Sequence, residues 1–404
     1  MKIAFFSNCY LPYLSGVTLS IKTLAEELRR LGHSVYIVAP QYPKTLNDPF
    51  LLHFPSLPAP YPGYRLVLPF SANIYRQQFD LVHVHQPFGV GLAALFFAKK
   101  LKVPLVYTFH TLFTRYAHHL PIIPAGLAKP LLARYLAFFC NQTDAVVAPS
   151  TMVKRYLKAL GVKSRIEVIP TGVPIEKIEN RKPACRQAGS KIDIRKKLGL
   201  PSDGKILLFS GRISGEKNIP FLLNAFPVIQ AQCPDVYFVL VGSGPKQKEY
   251  QSLACRLRPE GPQPEGQAGI VGSKHHRIIF TGQVNHPDIY AYYQAADLFV
   301  YSSLTETQGL VLAEAKAGGL PIVALFAGGL VDVVESGLDG YLIPRNEAVF
   351  VEHVVRLLRD DLLRAKMSGR ALADARERFS AIVVAKQMET LYNSLINRGP
   401  LNDK

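Results

Sequence analysis

Glu306 and Glu314 frame the segment Thr305-Glu306-Thr307-Gln308-Gly309-Leu310-Val311-Leu312-Ala313-Glu314. An apolar run from Asp297 to Ser303 reads as a buried strand ahead of it. Leu310, Val311, Ala313, Ala315 and Ala317 predict a helix behind it. Gly309, at the junction, lets the backbone come close to a ligand. The first-turn N–H groups of such a helix lack partners within it and form an anion site. The two carboxylates are roughly 12 Å apart if the path between them rises as a helix. That is too far to share one proton, but well spaced to grip hydroxyls at opposite ends of an extended polar ligand. Spacing alone equally suits a strand-loop-helix corner with two surface glutamates, and a second, basic loop tips the balance.

That loop is Gly211-Arg212-Ile213-Ser214-Gly215-Glu216-Lys217-Asn218, which follows an apolar run at Lys205–Ser210 and precedes a helix opening near Pro220. Arg212 offers a planar fork and Lys217 a point charge, a combination suited to clamping a diphosphate. Near the N-terminus, Pro12-Tyr13-Leu14-Ser15-Gly16-Val17 leads from a strand into a helix whose start can also face phosphate. His110 follows the run Pro104–Phe109, where a strand end can carry its ring to a reacting centre.

The elements that must position these residues alternate. Lys2–Ser7, Ser34–Pro40, Asp80–His85, Pro104–His110, Ala145–Ser150 and Ile166–Ile169 read as strands, with a helix at Val17–Leu31 stopped by Gly32. A second series runs through Lys205–Ser210, Val236–Val241, Arg277–Thr281, Asp297–Ser303, Pro321–Leu325 and Gly340–Pro344. From Glu347 the pattern is helical, ending with Ala381–Asn397. Alternating strand and helix implies parallel sheets covered on both faces. The fold class expected is α/β, with doubly wound Rossmann-like domains at 1–172 and 173–379 and a terminal helical segment at 380–404. Ligands of such sheets bind beyond the carboxyl ends of the strands, so two domains facing across a cleft would bring the loops above onto one pocket. Lys182–Lys191 and Arg258–Lys274 share Gln-Ala-Gly followed shortly by Ser-Lys, and read as related low-complexity insertions, mobile and outside the core.

At 404 residues, 48% hydrophobic and 19% charged, the chain is expected to fold as two domains, each with its own core. No apolar run reaches the length of a membrane span, and the N-terminal Ile3-Ala4-Phe5-Phe6 is a strand and not a leader peptide. Cys9, Cys140, Cys185, Cys233 and Cys255 are scattered, with no C-x-x-C pair, which favours a reducing, cytoplasmic setting over a disulfide scaffold or zinc cluster. The formal charge of +17 suits anionic membranes and phosphorylated substrates; nothing resembling a nucleic-acid-binding motif accompanies it. His83 and His85 alternate along one strand and read as packed or hydrogen-bonded. The adjacent pairs His118-His119 and His275-His276 are poorly placed to chelate, and Gly242-Ser243-Gly244-Pro245 reads as a turn near a nucleotide base.

Taken in order, these segments resemble the retaining nucleotide-sugar glycosyltransferases with the GT-B fold, specifically glycosyltransferase family 4. The resemblance spans nearly the whole chain. It is carried by Gly211-Arg212 with Lys217, by the Glu306 and Glu314 pair with Gly309-Leu310-Val311, and by Ala317-Gly318-Gly319-Leu320-Pro321-Ile322-Val323-Ala324. It implies that Arg212 and Lys217 hold the donor diphosphate, Glu314 the ribose and Glu306 the hydroxyls of the transferred hexose. Gln308, Gly309, Leu310 and Val311 would line the site, Gly16 and Val17 would lie by the phosphate, and His110 near the sugar. It also implies a UDP- or GDP-sugar donor, no resident cofactor, and a terminal helix that returns to the first domain. Three positions depart from the common pattern: Ser15 before Gly16 where two glycines are frequent, Gly215 where proline is frequent, and Gln308 where phenylalanine is common. None removes a charged group, and Gln308 bears on the choice of donor sugar. No paired-aspartate motif for Mg²⁺ is present, so metal is not expected.

The acceptor is read from Tyr107–Leu120 and Tyr61–Phe79, which interleave aromatic and basic residues, and from Lys129, Arg134 and the apolar run Leu131–Phe139. Such a surface can lie on anionic lipid, at the inner face of the plasma membrane. His110-Thr111-Leu112-Phe113-Thr114-Arg115-Tyr116 also resembles the bacterial branch that glucosylates diacylglycerol. The alternatives are a soluble or polysaccharide acceptor, a nucleotide-sugar epimerase of the same architecture, and a catalytically silent membrane- or carbohydrate-binding protein.

Overall fold

The computed structural model describes residues 1–13, 15–42, 48–58, 65–67, 74, 76–114, 125–179, 188–257 and 277–398. The chain forms two compact units, Met1–Gly172 with Ser380–Lys404, and Val173–Phe379.

In the first unit, strands β1 (Lys2–Phe6), β2 (Ser34–Pro40), β3 (Leu51–Phe54), β6 (Leu81–Val84), β7 (Leu105–Thr108), β8 (Ala145–Ala148) and β9 (Arg165–Val168) form one sheet in the order β3-β2-β1-β6-β7-β8-β9. Every pairing in it is parallel. A separate antiparallel pair joins β4 (Ser56–Pro58) to β5 (Arg65–Val67), the latter within the stretch Tyr61–Phe79 read only as aromatic and basic. Its strands and β3 are too short for a periodic signal to show. The helices are α1 (Gly16–Arg30), α2 (Val90–Leu101), α3 (Ala125–Asn141) and α4 (Thr151–Ala159), with α13 (Ala381–Ile396) contributed from beyond the second unit. Ser15 caps α1 by accepting from the Thr18 N–H at 3.1 Å.

Alternation along the central strand feeds two cores. Ile3 and Phe5 pack with Ile21, Leu24 and Leu28 of α1 and with Met388, Leu391, Tyr392 and Leu395 of α13. Ala4 and Phe6 pack with Phe97 of α2 and Leu136 and Phe139 of α3. Burying side chains of this size is worth about 1.5–3 kcal/mol each. The four from α13 are therefore enough to hold that helix as a wall of the first unit.

The second unit has β10 (Lys205–Ser210), β11 (Val236–Val241), β12 (Ile278–Gly282), β13 (Leu298–Tyr301), β14 (Ile322–Leu325) and β15 (Gly340–Ile343), ordered β12-β11-β10-β13-β14-β15 and all parallel. Its helices are α5 (Ile175–Glu179), α6 (Ala188–Lys197), α7 (Ile219–Gln232), α8 (Gln247–Arg256), α9 (His286–Ala295), α10 (Leu310–Ala317), α11 (Glu347–Arg359) and α12 (Asp361–Asp374). Both sheets reverse strand order beside their first strand, at β1/β6 and β10/β13, which are the positions where doubly wound folds take their ligands.

One expectation needs correction. Ala188–Lys191, read as the end of a mobile insertion, is the first turn of α6. Lys191 Nζ lies 2.6 Å from Asp297 Oδ1, and Arg195 reaches Asp297 Oδ2 at 2.7 Å and the carbonyls of Ala295 and Gly204. Asp297 Oδ2 also accepts from the Ile206 N–H at 2.7 Å, so the helix is pinned beside β10 and β13. The rest of the first insertion (182–187) and all of the second (258–274) lie outside the described residues.

Candidate functional site

The loops after β10 and β13 meet at the switch point of the second sheet. The first closes in a single 3-10 turn, Gly215–Lys217, ended by Asn218 in the left-handed region (φ 52°). The Ser302 hydroxyl lies 2.8 and 3.0 Å from the carbonyls of Lys217 and Asn218, which ties this turn to the end of β13. So fixed, Lys217 Nζ stands 2.6 Å from Glu306 Oε1 and 3.1 Å from the Tyr301 hydroxyl. Tyr301 donates to the same carboxylate oxygen at 2.8 Å. Lys217 and Glu306 keep 18% and 13% of their side chains exposed, so the pair is largely desolvated but open to a ligand. Burial would lower the Lys217 ammonium; Tyr301 and Glu306 outweigh it and hold the group above its ordinary value. It is therefore a fixed positive charge.

Arg212, five positions earlier, is exposed and makes no ion pair among the described residues. Its loop lies along the Gly242-Ser243-Gly244 turn, with Gly211 N–H donating to Val241 O and Ile213 N–H to Ser243 O, both at 3.0 Å.

Helix α10 is preceded by Gly309, whose φ of 80° is the left-handed conformation that glycine adopts freely. A Cβ there would also lie 2.4 Å from Leu330 Cδ2, so a side chain would have to displace the end of that leucine. No side chain caps the helix, which leaves the first-turn amides at Leu310 and Val311 available. Gln308 just before it is buried at 3% exposure. Glu314, also buried, accepts from the Tyr293 hydroxyl through Oε2 at 2.9 Å, and its Oε1 lies 3.2 Å from His286 Nε2. Burial, and next the Glu314 charge, hold the Tyr293 phenol well above its ordinary value, so it stays a donor. Glu314 is thus a carboxylate held in one orientation and not a solvated surface group.

In the first unit the ring at the end of β7 belongs to a stack of imidazoles. His110 Nε2 lies 3.0 Å from His85 Nδ1, and the rings of His85 and His83 are 4.4 Å apart. His83, expected to be packed or bonded, is both: its nitrogens lie 2.6 Å from the hydroxyls of Tyr392 and Thr108. Burial lowers all three, and the neighbouring rings add to the effect on His83 and His85: His83 to about 3, His110 to about 4, and His85 well below its usual value. The cluster is neutral at physiological pH. A cavity of about 20 Å³, room for a single water, is lined by His85, Thr108, His110, Thr23, Thr171 and Met388. Gly16 and Val17 open α1 in the same unit.

The structure therefore joins Lys217 to Glu306 directly and places Arg212, Gln308, Gly309, Leu310, Val311 and Glu314 in the two loops and the helix around them. His110, Gly16 and Val17 belong to the other unit. Sequence reasoning missed Tyr301, Tyr293 and His286, which reach the two glutamates from a strand end and from α9. The one signal for Tyr301 was a hydroxyl ending an otherwise apolar strand beside the strand that launches the basic loop. His118-His119, His275-His276 and most of the aromatic stretches lie outside the described residues.

The chain is similar to known proteins along most of its length. Residues 14–177 match the family model described as Glycosyltransferase Family 4, and residues 204–360 that described as Glycosyl transferases group 1. The alpha-monoglucosyldiacylglycerol synthase of Acholeplasma laidlawii is 30% identical over 419 residues, covering 100% of both chains. The protein of the same name from Streptococcus pneumoniae is 33% identical over 336 residues, 80% of this chain and 71% of that one. Among solved structures, HepE of Anabaena in complex with UDP and glucose has the same fold, with a TM-score of 0.73 at 22% identity over 98% of this chain and 100% of that one.

Proposed function

The chain belongs to glycosyltransferase family 4, and we propose that it moves a hexose, with retention of configuration, from a UDP- or GDP-sugar to a membrane lipid such as diacylglycerol. One observation carries the donor half of this reading: a largely desolvated cation, Lys217, paired with a carboxylate, Glu306, beside an uncapped helix start at a sheet's switch point. A leaving nucleoside diphosphate gains negative charge as the glycosidic bond breaks. Groups fixed around that charge stabilise the transition state more than the ground state. In this reading Arg212, Lys217 and the amides of Leu310 and Val311 take the diphosphate. Glu314, with Gln308 and Gly309 beside it, takes the ribose side, and Glu306 the sugar hydroxyls. His110 keeps its sequence-derived assignment at the transferred sugar, and Gly16 with Val17 theirs at the phosphate. Attack comes from the face the leaving group departs, and the departing phosphate oxygen accepts the proton of the acceptor hydroxyl.

Support for the lipid half comes from the names of the two synthases and from the surface of the first unit. Helix α3 exposes Leu127, Leu131, Arg134 and Phe138 along one stripe, and α2 exposes Leu92 and Phe96 ahead of Lys99 and Lys100. Apolar and basic side chains so interleaved suit the interface of an anionic bilayer. Among the described residues no helix is long and apolar enough to cross a membrane.

A screen of UDP- and GDP-sugars against diacylglycerol, phosphatidylinositol and simple sugars, read by released nucleoside diphosphate, tests the reading. Release that depends on a lipid acceptor is the expected result. Release only with a soluble sugar would replace the acceptor. Interconversion of donors without net release would point to an epimerase instead.

A further inference from the structure

We infer that Tyr301 is a positioning residue: its hydroxyl holds Lys217 and Glu306 in the one mutual placement that sugar transfer uses. This rests on the roles just given to those two residues. Tyr301 ends β13 and is buried. Its ring lies 5.6 Å from that of Phe209 on the neighbouring strand and 5.9 Å from that of Phe299, tilted by 19° and 25°. Buried and stacked on both, the ring is held in place. The hydroxyl is therefore a fixed point between two long side chains that arrive on separate loops.

A phenol has one donor and two acceptor positions. Here the donor goes to Glu306 Oε1 at 2.8 Å, and one lone pair accepts from Lys217 at 3.1 Å. Burial, and next the charge of Glu306, push the phenol above its ordinary value, so the proton stays in place. Lysine and glutamate alone could rotate until both carboxylate oxygens faced the ammonium. With the phenol present, both bonds to Glu306 converge on Oε1. No described residue bonds Oε2, and one of the three ammonium hydrogens of Lys217 is likewise uncommitted. A lone donor and a lone acceptor are left side by side. They match a ligand in which a phosphate oxygen adjoins a sugar hydroxyl.

The test is a double-mutant cycle on turnover with UDP- and GDP-sugar donors, using Tyr301→Phe, Glu306→Gln and the double variant, with Lys217→Ala alongside. Tyr301→Phe keeps the stacked ring and removes only the hydroxyl. The expected result is a loss of at least tenfold in kcat from Tyr301→Phe alone, shrinking to less than twofold in the Glu306→Gln background, because the hydroxyl acts through that carboxylate. A merely structural role would give the same loss in both backgrounds, and that outcome overturns the inference. So does a Tyr301→Phe enzyme with full turnover while Glu306→Gln and Lys217→Ala are impaired, which leaves the site assignment standing. Full turnover in Glu306→Gln and Lys217→Ala would remove the assignment and the positioning role together. Should Tyr301→Phe fail to fold, Phe209→Leu, which keeps the hydroxyl and loosens the ring, replaces it: at least threefold loss is expected, again absent beside Glu306→Gln.

Discussion

Lys217 Nζ lies 2.6 Å from Glu306 Oε1, although the two residues sit on different loops of a parallel sheet. Removing the lysine strands a largely buried carboxylate and takes away a charge assigned to the leaving diphosphate. Lys217→Ala should lower turnover at least tenfold, about 1.4 kcal/mol in transition-state stabilisation. Initial rates of nucleoside diphosphate release measure it, and an unchanged rate would count against the clamp.

The clamp we propose uses protein cations and helix amides, so EDTA should leave the rate of transfer unchanged. A rate that collapses with chelator and returns with Mg²⁺ would show that the diphosphate is neutralised in another way.

Glu314 is oriented by Tyr293 and His286. Glu314→Gln replaces a charge-assisted acceptor with a neutral amide and should weaken UDP or GDP binding about tenfold, roughly 1.4 kcal/mol. Isothermal calorimetry reads this directly. An unaltered Kd would take Glu314 out of the ribose site.

The imidazole stack gives the first unit a pH dependence. His83 and His110 titrate in the folded protein near 3 and 4, and His85 too is lowered, whereas an unfolded chain takes up these protons near 6.5. Between about pH 6.5 and 4 the unfolded state binds more protons, so stability rises with pH and falls on acidification. Each histidine contributes up to about 1.4 kcal/mol per pH unit in that window. Denaturant melts at a series of pH values should show the decline, and His83→Asn should make it shallower. A flat profile from pH 6.5 to 4 would mean the rings are hydrated.

Lys316 is fully buried, donating to Asp339 Oδ2 and Val333 O at 2.7 and 2.6 Å and bonded to Asp374 as well. Lys316→Met would leave Asp339 buried without its cation and Asp374 with Arg378 alone, and should destabilise the second unit by about 3–5 kcal/mol. Chemical denaturation measures it; a change under 1 kcal/mol would show that the acids simply protonate without cost.

Much of this was legible in the sequence because buried parallel strands announce themselves. Lys205–Ser210 and Val236–Val241 are apolar runs whose ends the structure reproduces, and the chemistry-bearing loops follow from where such runs stop. Helix α6 was hidden because Lys191 and Arg195 point their charges into the protein, toward Asp297, which erases the usual apolar face. Tyr301, Tyr293 and His286 were hidden for another reason. Their partners are 5, 21 and 28 residues away in the chain, at no motif spacing, and only strand order and helix packing bring them together.

Helix α13 has a consequence for synthesis. It supplies Met388, Leu391, Tyr392 and Leu395 to a core otherwise made by the first part of the chain, and its Tyr392 completes the bonding of His83. The chain leaves that body at Gly172 and returns at Ser380, with Val173 N–H donating to Phe379 O at 2.7 Å where the inserted body opens and closes. On the ribosome the inserted body can therefore finish folding first, while the earlier one waits, one wall missing, for α13 to emerge.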